Sequence, residues 1–89
     1  MNSKTQKVAT MLKAKLNEGK DLFEAWQAVY NKFVALAQGL GMSEKQAHAF
    51  VQSWIWDCGV EIANHYGIDA KPFEDGKKKD GELFKAIYN

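Results

Sequence analysis

The chain contains no arginine: all twelve of its basic residues are lysine, set against eleven acidic ones. Arginine supplies the planar fork that binds phosphate and guanine in two places at once. Base readout through that pairing is therefore excluded, and contact with a nucleic acid falls to lysine ammonium groups acting as point charges. Cysteine is nearly absent. The single Cys58 forms no internal disulfide and no cysteine-based zinc site by itself, which points to a reduced, cytoplasmic setting. No apolar run approaches the ~20 residues that span a bilayer. Lysines are scattered through residues 1–20, with no apolar core leading to a small-residue cleavage site, so a secretory leader is not expected. Phosphate-loop patterns and a glycine-framed serine are missing as well, and Gly39-Leu40-Gly41 reads as an interhelical turn.

What is present is an ordinary globular composition over 89 residues, enough for one domain. Five Phe, three Tyr and three Trp can furnish an aromatic core. The net charge of +1 hides a division: +4 over residues 1–20, −3 over 21–66 and 0 over 67–89.

The periodicity predicts helices over 3–18, 22–38 and 44–66. Ser3 is the expected cap of the first, ahead of Val8, Met11, Leu12 and Leu16 at helical spacing. Asp21 caps the second, whose stripe of Leu22, Trp26, Val29, Phe33, Leu36 and Leu40 is widened by Phe23, Tyr30, Val34 and Ala37. Such width implies two neighbours. Ser43 and Gln46 fit a capping box opening the third helix, and Gly67 closes it. Beyond Gly67, Pro72 disfavours helix at the residue before it. The reading is an extended stretch over 68–73, a solvated turn over 75–81 and one short helix over 82–88. The expected fold is all-α, a single domain of residues 1–89: a compact three-helix bundle over 1–66, then an irregular C-terminal segment with a short terminal helix.

The third helix is apolar on two sides. Its main face holds Ala47, Phe50, Val51, Trp54, Ile55, Cys58 and Ile62. Gln52, Trp56, Val60 and Ala63 lie roughly opposite, with Gly59 at the edge. Either the C-terminal segment covers this second face, or it stays open as a protein-binding surface anchored on Trp56. Gln52, Trp56, Gly59, Val60 and Ala63 are accordingly the candidate partner-binding residues. Lys4, Lys7, Lys13, Lys15 and Lys20 are the candidate nucleic-acid contacts, which would be weak and salt-dependent. Asp57, Glu61 and His65 follow at four-residue intervals, a spacing open to metal binding or general-base chemistry but more readily to a structural pair at the rim of the core. No catalytic motif, cofactor, metal site, membrane segment or small-molecule substrate is indicated. The functional expectation is a small non-enzymatic, regulatory interaction protein: an adaptor, inhibitor or accessory subunit of the profile common on phages and other mobile elements. It would act by steric occupation of a partner's surface or by self-association, with binding of phosphate backbone through the first helix as the alternative.

Overall fold

The computed structural model describes residues 1–88, and Asn89 lies outside the described residues. Four helices follow one another: α1 Ser3–Asn17, α2 Leu22–Gly39, α3 Glu44–Tyr66 and α4 Lys71–Tyr88. The all-α reading holds. No helix among the described residues is long and apolar enough to cross a membrane.

The boundaries follow from side chains that satisfy the free N–H groups of each first turn. Asn2, one residue earlier than expected, caps α1 by accepting the Thr5 N–H at 2.8 Å. Asp21 caps α2 by accepting the Glu24 N–H at 2.8 Å, and that bond holds its carboxyl below the usual carboxylate range. Ser43 and Gln46 close the capping box of α3 through bonds of 3.1 and 3.0 Å. Gly67 ends α3 in the left-handed region at φ 71°, and the next N–H, from Ile68, returns to the Ala63 carbonyl at 2.9 Å.

The C-terminal segment departs from the sequence reading. Residues 71–88 form one continuous helix of 18 residues in place of an extended stretch, a turn and a short helix. Pro72 falls in the first turn, where a missing N–H costs nothing because that turn has no intrahelical acceptors. The Asp69 carboxylate accepts the Lys71 N–H at 3.0 Å, and the Phe73 N–H reaches the Ala70 carbonyl at 3.0 Å. The glycines that suggested a turn are accommodated in helical geometry.

The core joins Val8 and Leu12 of α1, Trp26, Val29 and Tyr30 of α2, Val51, Ile55, Cys58 and Ile62 of α3, and Phe73 of α4. α3 is the hub, lying against each of the other helices, whereas the α4 backbone comes close to that of α3 alone. The two run antiparallel: Phe73 lies on Gly59, Gly76 under Trp56, the Phe84 ring 5.8 Å from His48, and the Lys45 ammonium 5.9 Å from the Tyr88 ring. The contact is reciprocal. A Cβ on Gly59 would stand 2.9 Å from Cγ of Phe73, and one on Gly76 would stand 2.7 Å from Cη2 of Trp56. Each glycine is the seat of a ring from the opposite helix.

Opposite signs are expected for two glycines of α4. Gly81 has open space around it, so Gly81→Ala should stabilise by about 0.5–1 kcal/mol through helix propensity alone. Gly76→Ala meets the Trp56 ring, and overpacking of about 1–3 kcal/mol should outweigh the same gain. Thermal unfolding followed by circular dichroism decides both signs; equal stabilisation by the two would show that the Trp56 seat yields freely.

Candidate functional site

The second face of α3 is covered. Gly59 and Ala63 are buried, while Gln52, Trp56 and Val60 are half-buried, and α4 supplies the cover. The five candidate partner-binding residues therefore do not form an open surface, because the covering segment is a full helix and its glycine lets the Trp56 ring sit close to its backbone. Two of the five still border depressions. Trp56 reaches the floor of a groove described below, and Val60 lines a polar hollow with Asp57, Glu61, Asn64, Glu74 and Lys77.

The Asp80 carboxylate is the polar centre of this packing, with 11 % of its side chain exposed. Its Oδ2 accepts the Tyr30 hydroxyl at 2.8 Å and the Trp56 indole N–H at 2.9 Å, and its Oδ1 lies 3.4 Å from His48 Nε2. One side chain of α4 thus fastens α2 and α3 together. Burial, and then the hydrogen bond to Asp80, push the Tyr30 hydroxyl far above the usual tyrosine range.

Asp80→Ala leaves a buried hydroxyl and an indole N–H without acceptors, and should cost about 2–4 kcal/mol in urea unfolding, with Asp80→Asn costing less because one acceptor oxygen remains. A loss below about 0.5 kcal/mol would show that the hub contributes little. Tyr30 also sets an alkaline limit. Tyrosine in the unfolded chain ionises near pH 10 while Tyr30 in the fold stays protonated, so its contribution is intact below about pH 10 and declines as the pH rises further. Tyr30→Phe should flatten that decline, and a pH series of denaturant midpoints up to about pH 11 reads it.

Between the N-terminal halves of α2 and α4 lies a groove of about 600 Å³. It exists because α4 is held against α3 and not against α2. Side chains alone bridge the gap, the rings of Trp26 and Phe73 meeting edge-on at 4.8 Å, with Trp56 of α3 lying 5.6 Å from Trp26. These three rings make the floor, Leu22 and Phe23 form the α2 wall, and Pro72 and Gly76 belong to the α4 wall. Phe23 is 78 % exposed at the lip. The charged rim comes from Asp69, Lys71, Asp75 and Lys79. Lys71 pairs with Asp75 at 3.6 Å, and Lys79 joins no ion pair among the described residues. The groove is thus aromatic and apolar within and charged at its rim.

Two of the α1 lysines are engaged within the fold. Lys4 lies over the Trp54 ring at 4.7 Å, and Lys15 pairs with Glu18 at 3.3 Å. Lys7 and Lys13 are exposed and six residues apart, which turns them toward different sides of the helix, and Lys20 lies beyond its end. The four-residue series on α3 also separates. Asp57 pairs with Lys77 at 3.0 Å. Glu61 accepts the Thr5 hydroxyl at 3.0 Å and the Asn2 N–H at 3.3 Å, tying the start of α1 to α3. His65 is exposed with its ring against Tyr66. No group of three metal-ligating side chains occurs among the described residues. Cys58 is buried in the core, and burial pushes its thiol up, away from the reactive thiolate.

Local sequence preference does not reveal the groove, because Pro72, Gly76 and Gly81 favour extended chain and turn where the α4 wall is helical. The spacing of Phe73, Gly76, Asp80, Phe84 and Tyr88, three or four residues apart, marks an inward helical face once Pro72 is placed in a first turn. No family model, curated protein or solved structure matches the chain.

Proposed function

We propose that this protein is a small non-enzymatic interaction module, an adaptor, inhibitor or accessory subunit of the type carried by phages and other mobile elements, which acts by occupying a surface its partner needs. The observation that carries this reading is the groove between α2 and α4, with three aromatic rings at its floor and Phe23 exposed beside it. An exposed phenylalanine adjoining an apolar groove leaves a large apolar surface in water, and association removes it. Aromatic side chains in such settings dominate binding energy. The surface differs from the α3 face singled out by sequence, but Trp56 belongs to both.

The test is affinity capture from the native cell with the tagged protein, its Phe23→Ala form and a Leu40→Ala control. Leu40 is also strongly exposed, but it lies just past the C-terminal end of α2, the opposite end from Phe23. A co-purifying protein should be lost with Phe23→Ala and retained with Leu40→Ala, at unchanged helicity. Equal recovery with all three sinks the groove as the contact surface.

A further inference from the structure

We propose that the occupant of the α2–α4 groove is a second copy of this chain, related by a two-fold axis, an inference that rests on the reading of the groove as the interaction surface. A two-fold interface requires one patch to complement itself. Here a projecting ring and a receiving groove lie side by side: Phe23 stands at the lip, and Trp26, Trp56 and Phe73 form the floor. A two-fold operation through such a patch sets each Phe23 opposite the other copy's groove.

The rim charges point the same way. Two aspartates, Asp69 and Asp75, and two lysines, Lys71 and Lys79, border the groove. A rim of one sign would repel its own copy and favour a partner of the opposite sign. A balanced rim does the reverse, since an acidic peptide or a nucleic acid meets both aspartates and a basic peptide meets both lysines. The whole chain carries a net charge of only +1, so no long-range repulsion opposes pairing.

The full chain is tested by light scattering from about 1 µM to about 1 mM, with circular dichroism to confirm that each variant is folded. The wild type should double in mass with concentration, and Phe23→Ala should weaken the dimer at least about tenfold. Lys79→Glu leaves three acids and one lysine on the rim, and Asp75→Lys leaves three lysines and one acid. Each alone should be monomeric at concentrations where the wild type pairs. An equimolar mixture should recover the doubled mass at low salt and lose it at high salt, because unlike rims attract across the interface. A wild type that stays monomeric throughout overturns the proposal, as does a dimer indifferent to Phe23→Ala. A monomer that still captures a partner in a Phe23-dependent way removes self-pairing and leaves the interaction reading standing.

Discussion

Two rings seated on two glycines hold the fold in its final form. Trp56 of α3 lies on Gly76 of α4, and Phe73 of α4 lies on Gly59 of α3. The seats are three residues apart on each helix, so they share one face and must engage together. The absence of both Cβ atoms lets the backbones approach while still burying large rings between them. Glycine inside a helix costs about 1 kcal/mol against alanine, and here the close ring contact offsets that cost.

Once α4 is held in this way, the rest of its environment is settled. Its C-terminal half brings Asp80 between α2 and α3, where the carboxylate collects the Tyr30 hydroxyl and the Trp56 N–H. Its N-terminal half stands off from α2 and leaves the groove. Tight closure and an open apolar surface are therefore two ends of one helix pairing. The same ring, Trp56, forms part of the groove floor, donates to Asp80 and fills the Gly76 seat.

Much of the fold was legible in the chain. Asp21, Ser43 with Gln46, and Gly67 mark helix ends that depend on local hydrogen bonds, and these ends appear where the sequence places them. Ala47, Val51, Ile55, Cys58 and Ile62 recur at a helical period and are buried. Phe50, Leu36 and Leu40 belong to the same kind of stripe and remain exposed, since periodicity gives a direction around the helix but not the extent of the neighbour that covers it. Around Pro72, Gly76 and Gly81 local preference misleads. Pro72 signals a break unless it falls in a first turn, Gly76 and Gly81 weaken a helix considered alone, and only the Trp56 ring explains why Gly76 belongs inside one.

The sequence by itself determined an all-helical chain, its first three helices to within a residue or two, and the double apolar character of α3. Those properties follow from capping groups and side-chain spacing, which act over a few residues. The tertiary structure alone decided that α4 exists as a full helix, that it covers the Trp56 face, and that Phe23 and Phe73, about fifty residues apart, border one groove. A single helix with two apolar faces is compatible with several coverings. The choice among them rests on whether a ring from one helix finds space over the backbone of another, and that is a property of shapes brought together across the fold.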